Sequence, residues 1–211
     1  MPHVVLLGDS IFDNGGYVGD GPDVASQLRS TLPTGWRVSL HAVDGSVTGD
    51  VKRQLGWLGS DVTHLVLSIG GNDALDHGGI LGEPSSSVAE VLDRLATIRE
   101  NFARNYNAML DTVTATNRPL AVCTIYDGRF VEPMQRRIAN TALSLFNDTI
   151  TRAAFSRGLT LIDLRLICDQ DEDLANPIEP SVQGGRKIAR AIAAFCEAAT
   201  GPRSNSEVLV R

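Results

Sequence analysis

Hydrophobic and polar positions alternate in blocks along this chain. Five apolar, β-branched runs recur: "HVVLLG" (3–8), "RVSLHAV" (37–43), "HLVLSIG" (64–70), "LAVCTIY" (120–126) and "LTLIDL" (159–164). Several are almost continuously apolar, as in strands covered on both faces. Between them lie stretches of helical period. Residues 22–32 and 48–58 each predict a short helix. A long helix follows the N-cap candidates Ser85, Ser86 and Ser87, with Val88, Val91, Leu92, Leu95, Ile98, Phe102, Met109, Leu110 and Val113 on one face. Another opens at Pro133 and carries Ile138, Ala142, Leu145, Phe146 and Ile150. The last runs from about Ser181 through Phe195. Strand and helix in alternation predict an α/β fold, a parallel sheet with helices on both faces. Residues 1–200 read as one domain and 201–211 as a loose tail, whose "VLV" has the character to dock on a neighbour.

Composition adds exclusions. The formal charge is −6 with no basic run, which argues against nucleic acid and anionic membranes as partners. No apolar run approaches a membrane span, and no leader precedes the first strand, so membrane insertion is not expected and a cytoplasmic location is. Cys123, Cys168 and Cys196 read as buried, reduced thiols. No cofactor and no metal are implied: "DQDEDL" (169–174) lacks the glycine and closing glutamate of a calcium loop and reads as a solvated acidic loop. Trp36 and Trp57 read as packing residues. Oligomeric state is not legible.

In open parallel sheets, ligands gather at the C-terminal strand ends. Those ends carry Gly8-Asp9-Ser10, Asp44-Gly45-Ser46 and Gly70-Gly71-Asn72-Asp73, and the last strand leads toward Asn176 and Glu179. Ser10, raised on a turn, offers a nucleophilic hydroxyl. The N–H groups of Ser10 and Gly45 and the amide of Asn72 offer three donors to an oxyanion. "GDSI" (8–11), Gly45 in "VDGSVTGD" and "GGND" (70–73), in this order, resemble the signature segments of the SGNH/GDSL hydrolase superfamily. The resemblance spans nearly the whole chain. It implies a flavodoxin-like α/β/α sandwich with five strands ordered 2-1-3-4-5, Ser10 as nucleophile, and Gly45 and Asn72 completing the oxyanion hole. It also implies a small-molecule ester or acyl substrate.

One segment departs. The family pattern carries Asp-x-x-His before the last helix; this chain has Asn176-Pro177-Ile178-Glu179. His3 and His64 begin strands at the wrong end of the sheet, and His41 lies within the second strand. His77 is placed to overhang the site. Glu179 is then the candidate base, its basicity raised by burial and lowered by the following helix N-terminus. Asn176 is expected to donate to its carboxylate. The alternatives are a ligand-binding protein that has lost its base, and an acyltransferase. Asp13 and Asn14, in a Gly-rich loop, and Asp73, His77, Tyr126, Arg129 and Phe130 are the expected substrate contacts. Arg129 also has Glu132 as a possible ion-pair partner, and Asp163 has Arg165. Asp9 is expected to order its own turn, and Asp73 to cap the segment that follows it.

Overall fold

The computed structural model describes residues 1–198 and 206–210. In chain order the elements are β1 (His3–Gly8), α1 (Val24–Thr31), β2 (Arg37–Leu40), α2 (Val51–Leu55), β3 (His64–Ser68), α3 (Gly71–Asp76), α4 (Val88–Thr114), β4 (Leu120–Cys123), α5 (Pro133–Phe155), β5 (Thr160–Ile162), α6 (Leu164–Ile167), α7 (Val182–Ala198) and β6 (Val208–Leu209). The sheet is wholly parallel with order β2-β1-β3-β4-β5-β6. The fold is thus the expected three-layer α/β/α sandwich, with one strand more than expected.

Side chains of successive strand residues point to opposite faces, and β1 makes two cores that way. Val4 and Leu6 join a cluster with Val24 and Leu28 of α1 and Ile188 and Ile192 of α7. Val5 and Leu7 join another with Phe102 and Leu110 of α4 and Ile150 of α5. This two-sided burial explains the unbroken apolar runs.

The extra strand comes from the chain end expected to be loose. Leu161 donates its N–H to Glu207 O (2.7 Å) and Asp163 to Leu209 O (2.9 Å), so "VLV" docks on the sheet's own edge. Residues 199–205 and Arg211 lie outside the described residues. Other expectations shift. β2 stops at Leu40, leaving His41 just beyond it, and α3 follows β3 where no helix was predicted. The first turns of α4 overhang the sheet, leaving Val88 76% and Leu92 61% exposed despite their apolar spacing. Trp57 is 51% exposed, whereas Trp36 packs against the first core. The acidic loop is not simply solvated: Asp173 is fully buried, accepting from Gln170 N–H, Gln183 Nε2 and Lys187 Nζ. The three cysteines are free and buried. Asp163 pairs with Arg165 as expected and also caps α6. No helix among the described residues is long and apolar enough to cross a membrane.

The end of β1 is the tightest point of the sheet. Gly8 has φ +128°, and a Cβ built there would stand 1.7 Å from the Ser68 carbonyl oxygen of β3. Only glycine lets the two strands stay paired while the chain turns toward Ser10. Gly8→Ala should therefore cost about 3 kcal/mol, a fall in Tm of roughly 6–12 °C. Thermal unfolding followed by circular dichroism checks this, and an unchanged Tm contradicts the close approach.

Candidate active site

The turn that carries Ser10 is built by Asp9. Its carbonyl accepts from the N–H groups of Phe12 and Asp13 (both 3.1 Å), and its Oδ1 accepts from Ile11 N–H (3.1 Å). Burial, opposed by the Ile11 hydrogen bond and reinforced by the neighbouring Glu179 and Asp73 charges, pushes the Asp9 carboxyl up to about 8. Gln54 fixes the strand end beneath it. It accepts from Gly8 N–H (2.8 Å), donates to Gly8 O (2.7 Å), and reaches Ser46 Oγ at 3.3 Å. It thereby satisfies the Gly8 N–H and gives a second donor to Gly8 O, which also accepts from Val43 N–H (3.1 Å). Gln54 was missed in the sequence, although a signal exists: it sits among Val51, Leu55 and Leu58 on the apolar stripe of its helix.

Ser10 Oγ donates to Glu179 Oε1 at 3.1 Å, across 169 positions of sequence. Glu179 is only 6% exposed, and its Oε2 is buried with no hydrogen-bond partner among the described residues. Burial, opposed by the Ser10 hydrogen bond and aided by Asp44, pushes this carboxyl from its ordinary 4.5 up to about 7. Burial outweighs the hydrogen bond that Ser10 donates.

The loop that carries Glu179 is clamped through its main chain. Leu174 and Pro180 form an antiparallel bridge, and Ala175 N–H donates to Glu179 O (2.8 Å). Asn176 does not donate to the carboxylate. Its Oδ1 instead accepts from the N–H groups of Ile178 and Glu179 (both 2.9 Å), a side-chain-closed turn. Tyr126 OH donates to Ile178 O (2.7 Å), and Arg129 N–H donates to Pro177 O (2.8 Å). Asn14 Nδ2 donates to Pro180 O (3.1 Å) while its Oδ1 accepts from Val24 N–H (2.9 Å). Asn14, wholly buried with both ends engaged, is a loop clamp and not a substrate contact. The Tyr126 hydroxyl is likewise occupied, although its ring lines the cavity below. The Arg129 side chain lies against Asp171 (3.3 Å) and Asp169 O (2.7 Å), not Glu132, which caps α5.

Opposite Ser10, Asn72 Nδ2 donates to Ser46 O (2.9 Å), and Asp73 Oδ2 accepts from Thr48 N–H (2.9 Å). Asp73 thus holds the turn after Gly45 and does not cap its own helix; burial raises its carboxyl above the usual range. Gly45 has φ +78°, a conformation that glycine adopts at no steric cost. Neither Ser10 N–H nor Gly45 N–H has a main-chain acceptor among the described residues. Asp13 Oδ2 accepts from Asp44 N–H (2.9 Å), bracing the same loop.

Ser10, Asn72 and Glu179 stand at the wall of a cavity of about 350 Å³. Leu75, Leu81, Leu95, Ile98, Leu143 and Phe146 make it strongly apolar, and Phe130 and His77 also line it. His77 is exposed at the end of α3; the Ser10 hydroxyl is held by Glu179. His3 bonds Asp61 and Ser39 at the opposite end of the sheet. No group of three or more His, Cys, Asp or Glu among the described residues is arranged to hold a metal ion.

Residues 6–187 match the model of the GDSL-like lipase/acylhydrolase family. No curated protein matches the sequence. Among solved structures, the extracellular lipase of Streptomyces rimosus superposes with TM-score 0.67 at 21% identity, covering 95% of this chain and 100% of that one. Phospholipase A1 from Streptomyces albidoflavus NA297 gives 0.67 at 18% identity, with 93% and 99% covered. The lipase Lip_vut3 from a goat rumen metagenome gives 0.71 at 16% identity, with 92% and 97% covered. At these identities the likeness is one of fold, but the family model spans most of the chain, and the protein belongs to the GDSL-like lipase/acylhydrolase family of ester hydrolases.

Proposed function

We propose that the protein is a serine esterase in which Glu179 takes the place of histidine as general base, acting on esters with an apolar acyl chain. The observation that carries this is the buried contact between Ser10 Oγ and Glu179 Oε1, at a distance suited to direct proton transfer. A carboxyl brought up to about 7 has a basicity close to that of an ordinary imidazole. At neutral pH about half of the molecules then hold an ionised base beside the hydroxyl.

The steps balance as follows. Ser10 Oγ attacks the ester carbonyl carbon while its proton passes to Glu179. The oxyanion is held by the N–H groups of Ser10 and Gly45 and by the Asn72 amide. The C–O bond to the alcohol breaks, and protonated Glu179 returns its proton to the departing oxygen. Water then repeats the sequence, with Glu179 accepting its proton and Ser10 leaving protonated. The acyl chain occupies the apolar cavity, where each buried methylene contributes about 0.8 kcal/mol.

Three outcomes test the reading. Ser10→Ala and Glu179→Gln should each lower kcat/KM on p-nitrophenyl hexanoate at least about a hundredfold, and hexanoate should be preferred to acetate; a fully active Glu179→Gln removes the base. In wild type, kcat/KM should rise with pH through about 7 and level off above it, whereas a flat profile from pH 5 to 8 contradicts a titrating base. Stability should run the other way. The folded carboxyl binds its proton more tightly than the unfolded one, so this contribution is complete below about 4.5 and is lost as pH rises through about 7. Glu179→Gln should therefore match wild type near pH 4 and melt at a higher temperature than wild type at pH 8. Thermal melts at the two pH values decide this.

A further inference from the structure

Only one of the two Glu179 carboxyl oxygens is engaged. Oε1 accepts from Ser10 Oγ (3.1 Å). Oε2 is buried without a hydrogen-bond partner, on a residue 6% exposed that lines the apolar cavity. Among the described residues, no other residue lining this cavity has a buried side-chain polar atom left without a partner. Polar side chains elsewhere on the wall are spent on the main chain. Asn72 donates to Ser46 O, Tyr126 to Ile178 O, and Asn140 bonds both the N–H (2.9 Å) and the carbonyl (3.2 Å) of Gly128. A buried acceptor left unmatched is costly, so a ligand that brings one donor to Oε2 supplies what the protein does not. Oε1 and Oε2 share a carbon. Oε2 therefore lies within one carboxyl width of the oxygen that Ser10 touches, and its partner belongs to the part of the substrate next to the scissile carbonyl.

We infer that the acyl group carries a hydroxyl on its second or third carbon, so that the preferred substrate is an ester of a hydroxy acid whose remaining chain is apolar. The inference rests on the esterase reading for which end of the ligand meets Ser10. The hydroxyl donates to Glu179 Oε2 while the Ser10 proton passes to Oε1. The protonated carboxyl keeps Oε2 as an acceptor, so the bond persists through the step. Other donors fit this wall less well. An ammonium leaves water for apolar surroundings at far greater cost than a hydroxyl. An amide N–H brings its own carbonyl, a second polar group for the same wall to accommodate. A lone water finds few further partners among leucines and isoleucines. A hydroxyl on an apolar chain is held in the cavity by the chain itself.

The test uses ketone analogues of the hexanoyl ester, which the enzyme cannot cleave. They are the separate enantiomers of 3-hydroxy- and 4-hydroxyheptan-2-one, with 3-methyl- and 4-methylheptan-2-one as apolar counterparts of similar shape. Binding to the wild-type protein is measured by calorimetry. One enantiomer of one hydroxyketone should bind about tenfold more tightly than its methyl counterpart. Glu179→Leu, close in size but without the oxygens, should abolish that advantage. The inference is overturned if no hydroxyketone outbinds its methyl counterpart, if the two enantiomers bind alike, or if the advantage survives in Glu179→Leu. If Glu179→Leu does not fold, the enantiomer comparison on wild type decides alone. Wild-type hydrolysis of p-nitrophenyl hexanoate, run in parallel, separates the two levels. Turnover without hydroxyl preference leaves the esterase and removes the hydroxy-acid substrate. Hydroxyl preference without turnover leaves the contact at Oε2 and removes the esterase.

Discussion

The contact between Ser10 and Glu179 depends on the path of the chain over the sheet. β1 lies in the interior, between β2 and β3, while β5 lies three strands away from it. α7 does not stay above β5. It crosses back to pack on α1, with Gly184 and Gly185 letting it settle against Asp173 and Gln27. The segment entering α7 must therefore pass over the C-terminal end of β1, and Glu179 rides on that segment. Asn14 ties the segment to the loop after β1, and Tyr126 and Arg129 tie it to the loop after β4. Each tie ends on a main-chain carbonyl, so the backbone beneath Glu179 is fixed while its carboxyl stays free for the site.

Electrostatics give that placement its chemistry. Asp9, Asp73 and Glu179 lie close together, all are raised by burial, and none has an ion-pair partner among the described residues. Such an arrangement lowers stability at neutral pH, since buried acids must ionise against desolvation and against one another. Asp163 shows the contrast within the same sheet edge. Its bidentate Arg165 partner and the Thr124 hydroxyl outweigh its desolvation and hold it below the usual range. Asp163 and Glu179 thus meet opposite conditions, and the one whose basicity rises is the one that faces Ser10.

The elements that were legible in the sequence are those whose signals are local. Buried parallel strands announce themselves as apolar runs, and Gly8, Ser10, Gly45 and Asn72 stand at their ends in recognisable order. Glu179 was legible by register against the last helix. The supporting contacts were not, because composition does not say which end of an amide is used or where a phenol points. Asn176 was expected to donate and instead accepts. Asn14, Tyr126 and Arg129 were expected at the substrate; each holds the loop, and the Tyr126 ring also lines the cavity. β6 was missed because two residues carry too little pattern to distinguish a strand from a tail. The burial of Asp173 was hidden by its acidic neighbours. Gln54 was legible in principle, as a polar residue on an apolar helical stripe.

The pairing of Asn176 with Glu179 has a physical logic relative to the Asp-x-x-His pattern that the family resemblance implies. An imidazole must be held in one tautomer, and a carboxylate on its other nitrogen does this. A glutamate has no tautomer to select, so that service is not needed. A second carboxylate at 176 would add a like charge beside a buried one, raising Glu179 further and leaving less ionised base at neutral pH. Asparagine keeps the oxygen that closes the turn onto the Ile178 and Glu179 N–H groups and removes the charge. In the proposed esterase the two departures from the family pattern are one change: the orienting acid becomes a neutral turn-former when the base it would orient becomes an acid itself.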